Sequence, residues 1–548
     1  MFKLNLKIAL RNLWKNKVSS FINVIGLAIG LAACLMLLVY VLYEWNFDKQ
    51  PKNSENTYVT LTNIMDDGGK VALTFDGTTT ALGPLIKQGI PEIKYLCRVN
   101  YGGNSLIANK SDSFKLKSKF AEPDILKIFD YKFVYGDPKT ALIQPKSVIV
   151  TESTARILFG STDVLNKTVR YEDKEDLSIT GVIKDLPDNS SNRFDFLMPW
   201  SLYEMLDPTV RTLNWDNYSL VTLVSLDPAA NADVVNRKLE ALIKKNRNIT
   251  GKQPYFFFPL SKMHLYGKFE EGKSVGGAIE QIWLFMALAI GILLIACVNF
   301  MNMATAKSEK RAKEVGIKKT IGATRNSLIG QFLMESIILT IISVIIAIAL
   351  VEAFLPSMNN LLGLQMNIAY FNAYIWLGVL VVILFTGVIA GSYPAFYLSS
   401  FSPIQTLKKK VNKGGFLSIS LRQVLIVGQF CFTVLLIIST LVIYKQIQFV
   451  KNRPPGADVN VLVEMNQDGK LSEKFELLKT GLLKSGAVSS MCQSSVGLIH
   501  HGSNFNGLEW PGITPSERSI LFNQVGTTYD FIKTNGMKLT VGRDFSKE

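Results

Sequence analysis

Residues Asn299 to Ser336 read NFMNMATAKSEKRAKEVGIKKTIGATRNSLIGQFLMES and lie between two long apolar runs. The stretch contains a basic connector of about 25 residues, and the second apolar run begins where the connector ends. Apolar runs of roughly 20 residues are long enough to cross a bilayer as helices. Because basic connectors between spans lie in the cytoplasm as a rule, this one predicts a surface on which a cytoplasmic partner docks.

Five apolar segments of the chain have the length of a membrane-spanning helix. The predicted spans are Phe21 to Tyr43, Ile282 to Thr305, Phe332 to Leu355, Tyr374 to Tyr397 and Val424 to Tyr444. Lysine and arginine cluster in residues 1–20, 306–331 and 398–423, whereas Pro356 to Asn372 carries no charge. By the positive-inside rule the three basic segments are cytoplasmic, and residues 44–281, 356–373 and 445–548 lie outside.

The composition agrees with a protein that is partly in the membrane and partly in water. The chain has 548 residues, of which 48% are hydrophobic, and its mean hydropathy is +0.22. Its formal charge is +15, but the basic residues cluster beside apolar segments and are not interleaved with aromatic side chains. The charge therefore indicates membrane topology, and nucleic acid is not expected as a partner.

The first outside region, residues 44–281, has the pattern of a folded α+β domain. Strand-like runs occur at Ser147 to Val150, Leu177 to Ile183 and Leu220 to Val224, and helical patterns at Ser153 to Phe159 and Ala232 to Lys245. About 240 residues suffice to bury a core, as one unit or as two small lobes. The predicted fold class is a polytopic helical membrane protein with inserted α+β domains.

Four blocks of the connector resemble the FtsX-like permease domain of the MacB type. They are Asn299-Phe300-Met301-Asn302, Lys313-Glu314-Val315-Gly316-Ile317, Gly322-Ala323-Thr324 and Gln331-Phe332-Leu333-Met334-Glu335-Ser336. In the outside region, FDYKFVYGDP (Phe129 to Pro138) and SVIVTESTARILFG (Ser147 to Gly160) are similar to the MacB-like extracytoplasmic core domain. The resemblance covers nearly the whole chain.

This resemblance implies the permease subunit of an ABC transporter in a bacterial cytoplasmic membrane. A separate cytoplasmic ATPase would bind ATP and Mg²⁺, and no cofactor is expected in this chain. Permease units of the family work as a dimer or pseudo-dimer, and an adaptor and an outer-membrane channel are further partners left open. Carried onto this sequence, the ATPase-docking residues are Lys310, Lys313, Glu314, Val315, Gly316, Ile317, Lys318, Gly322 and Ala323.

The connector is expected to form a rigid helix from Ala306 to Thr320. On such a helix Ala312, Val315 and Gly316 form a small apolar stripe that would pack against the ATPase. Charged contacts would come from Lys310, Lys313 and Glu314. The alternative is an ordinary basic helix held by anionic lipid headgroups, so membrane lipid is the competing partner.

An internal repeat links the two outside regions. Asp124, Leu126, Lys127, Lys132 and Gly136 recur with identical spacing as Asp530, Ile532, Lys533, Lys538 and Gly542. The first copy continues into a second span, whereas the second reaches Glu548. The repeat therefore predicts that this chain is a fragment of a larger protein with two outside domains and eight spans.

Two short motifs suggest chemistry that their surroundings do not support. Gly267 to Ser274 reads GKFEEGKS and matches the phosphate-loop pattern, but a membrane span follows it, and no apolar strand ending in Asp comes afterwards. Leu31-Ala32-Ala33-Cys34 resembles a lipidation site, but the chain stays apolar to Tyr43, so an uncleaved span is expected.

Catalytic and metal-binding signals are not found either. The five cysteines are dispersed, and the three histidines are His264 and the adjacent pair His500 and His501. An enzyme is therefore not expected. Polar residues in or beside spans are costly in lipid and are functional candidates, or else bond across helices. These residues are Asn299, Asn302, Glu335 and Glu352.

The predicted function is to couple ATP hydrolysis in a partner to movements outside the membrane, for efflux or export of a substrate such as an antimicrobial or a peptide. Two alternatives remain open. One is an FtsX-like mechanotransmitter that regulates a cell-envelope enzyme, and the other is a lipoprotein-release permease.

Overall fold

A computed structural model of the chain describes residues 11, 14, 17–49, 54–65, 69–247, 254–306, 308–400, 421–453, 461–467, 470–498, 503–505, 508–514, 517, 520 and 522–546. At residues 19, 54, 247, 305–306, 308–313, 421–422 and 503 it describes the backbone but not the side chain. The chain divides into a helical unit, Met1–Trp45 with Ile279–Asn452, and a sheet unit, Asn46–Ala278 with Arg453–Glu548.

The α-helices follow one another in this order: α1 Lys17–Trp45, α2 Leu82–Gly89, α3 Ile125–Phe129, α4 Glu152–Phe159, α5 Trp200–Leu206, α6 Pro208–Arg211, α7 Ala232–Arg247, α8 Leu260–Tyr266, α9 Ala278–Ala306, α10 Ser308–Thr320, α11 Arg325–Leu362, α12 Ala373–Ser399, α13 Leu421–Asn452, α14 Phe475–Lys484 and α15 Phe531–Thr534.

The strands are β1 Thr57–Met65, β2 Val71–Phe75, β3 Ile93–Asn100, β4 Gly103–Ala108, β5 Ser113–Ala121, β6 Phe133–Gly136, β7 Ser147–Thr151, β8 Thr168–Tyr171, β9 Glu175–Ile183, β10 Phe196–Pro199, β11 Leu220–Leu226, β12 Tyr255–Pro259, β13 Lys268–Glu270, β14 Lys273–Gly276, β15 Ser503–Phe505 and β16 Phe522–Gln524. The strands and helices expected within residues 147–245 are confirmed.

Among the described residues, α1, α9, α11, α12 and α13 are long and apolar enough to cross a membrane. The prediction of five apolar helices is therefore confirmed, and each helix extends beyond its apolar segment. Intrahelical hydrogen bonds satisfy the backbone in water as well as in lipid, so a helix does not stop at the hydrocarbon boundary. At its C-terminal end α11 continues to Leu362 and stops at Gly363, whose φ of 65° suits a helix C-terminus.

Small residues let the helices of the helical unit approach closely. A Cβ added to Gly30 of α1 would lie 2.6 Å from the Ala296 Cβ of α9. A Cβ on Gly391 of α12 would lie 2.7 Å from the Ser336 hydroxyl of α11. Close contacts of this kind replace the hydrophobic effect as the force that packs helices in lipid. The shared core of α1, α9, α11 and α12 includes Leu27, Cys297, Ala347 and Ala390.

The sheet unit is built on one large, mostly antiparallel sheet. Its strand order is β10-β7-β9-β8-β4-β5-β3-β11-β1-β12, and β10 also pairs with β5. That extra pairing closes β10, β7, β9, β8, β4 and β5 into a ring filled by side chains such as Val150 and Ile179. The remaining strands form an open sheet, and α2 and α7 pack on it through Ile86 and Leu239.

The repeat seen in the sequence is also present in the fold. Asp124 precedes α3 and Asp530 precedes α15. The Glu122 N–H donates to the Arg98 carbonyl at 3.1 Å, and the Thr528 N–H donates to the Gln493 carbonyl at 2.9 Å. In return the side chain of Glu122 accepts from the Arg98 N–H, and that of Thr528 from the Gln493 N–H. The second region therefore reproduces these two hydrogen bonds, beside an isolated antiparallel bridge between Ser494 and Thr527.

The backbone after the two aspartates also repeats. Asp130 and Gly536 lie six residues beyond them in the left-handed conformation, with φ of 48° and 63°. Gly136 and Gly542 follow with φ of 93° and 95°.

In the second region a cavity of about 360 Å³ separates the segment near Leu462 from the segment near Cys492. In the first copy β11 lies between the strand that follows α1 and the strand that contains Cys97.

The phosphate-loop pattern has the geometry of a β-hairpin. Residues 268–276 form β13 and β14, which are joined by Glu271 and Gly272 with φ of 50° and 78°. Positive φ at both central positions is typical of a type I′ hairpin turn. Lys273 begins a strand and not a helix, so the helix N-terminus that a phosphate loop requires is not formed here.

The cysteines and histidines are scattered through both units. The helix α1 runs through Cys34 without interruption, and Cys34, Cys97 and Cys297 are buried. The ring of His264 stacks on that of Phe47, whereas His500 and His501 lie outside the described residues. Within the described part of the chain, no group of three or more His, Cys, Asp or Glu side chains could hold a metal ion.

Candidate functional site: the connector helix and its docking face

The connector forms the helix α10, and its inward side packs on the chain's own membrane helices. Val315 is 2% exposed and contacts a cluster that contains Leu328 and Phe332 of α11 with Ala395 and Leu398 of α12. Gly316 is buried as well. Burial of these apolar groups fixes the rotation of α10 about its axis.

Two lysines tie α10 to the ends of its neighbours. Lys318 Nζ donates to Gln331 Oε1 of α11 at 2.9 Å, and Gln331 is itself buried. Lys319 Nζ donates to the Ser399 carbonyl in the last turn of α12 at 2.6 Å. A cation is favourable at that position, because the carbonyls at a helix C-terminus are unsatisfied and carry partial negative charge. The connector is thus fixed to α11 and α12 together.

The block Ile321 to Thr324 makes the corner between α10 and α11. The Ala323 N–H donates to the Lys318 carbonyl and the Gly322 N–H to the Lys319 carbonyl, at 3.0 and 3.1 Å. These two bonds define a Schellman motif, which requires the left-handed conformation that Gly322 adopts with φ of 97°. Thr324 then caps α11 by accepting from the Ser327 N–H. Gly322 and Ala323 therefore have structural roles.

The outward side of the corner carries two exposed isoleucines. Ile317 is 46% exposed and Ile321 is 81% exposed, and the exposed residues Glu314 and Arg325 lie beside them in the sequence. Glu314, Ile317 and Ile321 are spaced three and four residues apart, which places them on one side of a helix. We call Glu314, Ile317, Ile321 and Arg325 the docking face.

The expected apolar stripe must be corrected accordingly. Val315 and Gly316 are buried within the chain, so they cannot present an apolar surface to another subunit. The reason is that a helical pattern identifies an apolar face but not what covers it, and here α11 and α12 cover it. The side chains of Lys310, Ala312 and Lys313 lie outside the described residues. Ile321 was not among the predicted site residues, although an isoleucine in a polar corner is a usable signal.

The polar residues near the spans divide into two groups. Glu335 is 5% exposed and lies one turn from Gln331 on α11. Asn302 is half-buried, and Asn299 is exposed beside Gly26 of α1. Glu352 lies near the other end of α11, where it accepts from the Tyr370 hydroxyl. The structure therefore places Asn299 beside α1 and Glu352 at the end of α11 that is far from the connector.

Two families match this chain in the order expected. The MacB-like periplasmic core domain matches residues 20–242, and the FtsX-like permease C-terminal domain matches residues 286–403. The chain therefore contains a MacB-like periplasmic core domain and an FtsX-like permease domain, as expected. The FtsX-like match includes α10, α11 and α12, so the connector and the helices that hold it lie within the family domain.

Relatives of this permease are distant. The macrolide export ATP-binding/permease protein MacB of Neisseria meningitidis (serogroup A) is 24% identical over 47% of this chain and 38% of its own length. The uncharacterized ABC transporter permease YknZ of Bacillus subtilis is 22% identical over 74% of this chain and 98% of its own length. The crystal structure of the periplasmic region of MacB from Actinobacillus actinomycetemcomitans is 16% identical, covers 38% of this chain and 91% of its own, and gives a TM-score of 0.29.

Proposed function

We propose that this permease works with a separate cytoplasmic ATPase that binds ATP and Mg²⁺, and that it passes the movements of that ATPase to the sheet unit outside the membrane. The docking face is the observation that supports this most directly. Ile321 is an exposed, large apolar side chain at a corner whose backbone is fixed by a Schellman motif. An exposed apolar side chain at a fixed corner, with a Glu and an Arg nearby in the sequence, has the composition of a protein-binding anchor.

The same geometry argues against simple attachment to lipid headgroups. A helix bound to a membrane surface inserts its apolar side into the lipid and places its lysines at the headgroups. In α10 the apolar Val315 is covered by the chain's own helices, and Lys318 and Lys319 are bonded within the chain. The exposed apolar groups lie at the corner and remain available to a protein.

Force applied to the docking face has a continuous route through the helical unit. The connector is bonded to α11 and α12, and those two helices pack at Gly387 and Gly391. The Ser343 hydroxyl of α11 donates to the Val24 carbonyl of α1 at 3.2 Å. Closely packed helices move as one body over short distances. A displacement of α10 is therefore carried to α1, which continues directly into the sheet unit at Asn46.

The first experiment is hydrogen exchange on the complex of this chain with its ATPase in lipid nanodiscs. We expect ATP trapped on a hydrolysis-deficient ATPase to change exchange in α10 and also in the strands of the sheet unit. The change in the sheet unit is what distinguishes coupling from mere attachment. Absence of any nucleotide-dependent change in α10 would contradict the proposal.

The proposed orientation places the N-terminus and α10 in the cytoplasm. Reporter fusions after Lys313 and Lys410 should therefore be active inside, and fusions after Asp48 and Gly363 should be active outside. The physical reason is the distribution of basic residues around the spans. An inside signal after Asp48 would overturn the assignment.

The proposed class of substrate rests only on the names of the relatives. Several are named macrolide export proteins, so we infer that export of an antimicrobial compound or a peptide is the activity to test first. Transport assays of the full complex with macrolides and with amphipathic peptides would distinguish the two classes.

A further inference from the structure

The four residues that follow α1 fold into a tight turn that is held by a distant loop. Asp48 donates its N–H to the Asn189 carbonyl at 3.0 Å, and the Asn189 side-chain amide donates to the Asn46 carbonyl at 3.2 Å. In return Asp48 Oδ1 accepts from the Ser191 N–H at 2.8 Å and from the Ser190 hydroxyl at 3.3 Å. The turn and the loop Asp188 to Asn192 thus hold each other through both backbone and side chains.

Asp48 adopts an unfavourable conformation in this turn. Its φ is 55°, in the left-handed region that residues other than Gly, Asn and Asp rarely occupy. The residue is 3% exposed, and its Oδ2 atom is buried with no hydrogen-bond partner among the described residues. Burial raises the pKa of the Asp48 carboxyl, against the opposing effect of its hydrogen bonds to Ser191 and Ser190. Such strain persists only where the surrounding structure imposes it.

The loop is braced from its other side by the sheet. Lys119 of β5 donates from Nζ to Asn192 Oδ1 at 2.8 Å, and the Asn192 amide donates to the Tyr131 hydroxyl at 2.8 Å. Burial lowers the pKa of Lys119 to about 8. Asp188 and Arg193 form an ion pair across the loop. The loop is therefore fixed to β5, one of the strands of the closed ring.

A second contact joins the turn to the segment that leads into α9. The ring of Phe47 stacks on His264 of α8, with centroids 3.7 Å apart and planes within 9°. After α8 the chain passes through the hairpin of β13 and β14 and enters α9 at Ala278. The segment that follows α1 and the segment that leads into α9 are thus in contact inside the sheet unit.

We propose that the turn Asn46 to Lys49, held by Asp48 in the loop Asp188 to Asn192 and by Phe47 on His264, is the joint through which a movement of α1 reaches the sheet unit. This rests on the proposed function. Asp48 is a positioning residue in this joint, because it acts by fixing the chain that leaves α1 to a loop bonded to β5. A flexible linker would absorb the displacement, whereas a turn with several hydrogen bonds transmits it.

The test compares two changes of Asp48 with one change at a matched position. Asp48→Ala removes the acceptor and the side chain that tolerates left-handed backbone, whereas Asp48→Asn keeps both. Asp173→Ala makes the same substitution at an aspartate with φ of 52°, in the turn between β8 and β9. Each variant of the full chain is bound to the ATPase in nanodiscs, and hydrogen exchange is measured with ADP and with trapped ATP.

In Asp48→Ala we expect exchange of the turn and of residues 188–192 to become about tenfold faster, because both lose shared hydrogen bonds. The nucleotide response of α10 should remain, and the response of the sheet unit should be lost. Asp48→Asn should restore it, and Asp173→Ala should leave it unchanged. These results would separate a transmitting joint from a merely stabilising turn.

The joint would be refuted if Asp48→Ala transmitted the response to the sheet unit as well as the unaltered chain does. It would also be refuted if Asp173→Ala abolished the response equally, or if Asp48→Asn failed to restore it. If α10 of the unaltered chain showed no nucleotide response, the proposed function would fail. The joint would then be tested only by the hydrogen-exchange rates of the turn and of residues 188–192. Faster exchange in the turn without faster exchange in residues 188–192 would then refute it.

Discussion

Ile321→Asp is expected to weaken binding of the ATPase by a factor of about thirty or more, since loss of a well-packed anchor typically costs about 2 kcal/mol or more. Ile321 is the most exposed apolar residue of the docking face and has no part in the cluster around Val315. The substitution should therefore leave the fold of α10 intact. Titration of the ATPase onto the purified chain in nanodiscs measures the change in Kd.

The matched control is Ile143→Asp. Ile143 is 60% exposed and belongs to the sheet unit, so it presents the same chemistry away from the connector. We expect its Kd for the ATPase to equal that of the unaltered chain. Normal ATPase binding by Ile321→Asp would contradict the proposal that the docking face binds the ATPase. An equal loss of ATPase binding in both variants would contradict it as well. Gly316 is unsuitable for this test because it is buried within the chain.

Gly391→Val is expected to destabilise the packing of α11 on α12 by about 2 kcal/mol, the typical effect of overpacking a close contact. Its new Cβ would lie 2.7 Å from Ser336 Oγ and 2.8 Å from Ser336 Cβ, so one helix must shift. Because α10 is bonded to both helices, the shift should also weaken the connector. Thermal unfolding in detergent measures the loss of stability. Unfolding is monitored by the rate at which a thiol reagent labels the buried Cys34 and Cys297.

Gly378→Val provides the control on the same helix. A Cβ at Gly378 meets nothing within 4 Å, so the β-branched residue can be accommodated there. We expect unfolding of Gly378→Val to follow the unaltered chain closely. Equal destabilisation by both valines would mean that helix propensity and not helix contact explains the result.

The sequence alone determined the features that depend on local or additive properties. Membrane helices follow from the summed transfer free energy of about 20 residues, so all five were located by hydropathy. The position of the connector follows from the charges that flank those helices. Strands such as β7 and β9 were visible because buried strands are short apolar runs with turn residues between them. The repeat at Asp124 and Asp530 needed only an identical spacing.

The tertiary structure decided which surfaces are covered. Val315 and Ile321 are both apolar residues of the connector, yet one is buried by α12 and the other is exposed. The helix α12 that covers Val315 is also bonded to the connector by Lys319 and Ser399, which lie 80 residues apart in the chain. Asp48 gave no sequence signal at all, because its hydrogen-bond partner Ser191 lies 143 residues away in the chain. Helical periodicity and hydropathy describe a residue's own element, whereas burial depends on what the rest of the chain brings against it.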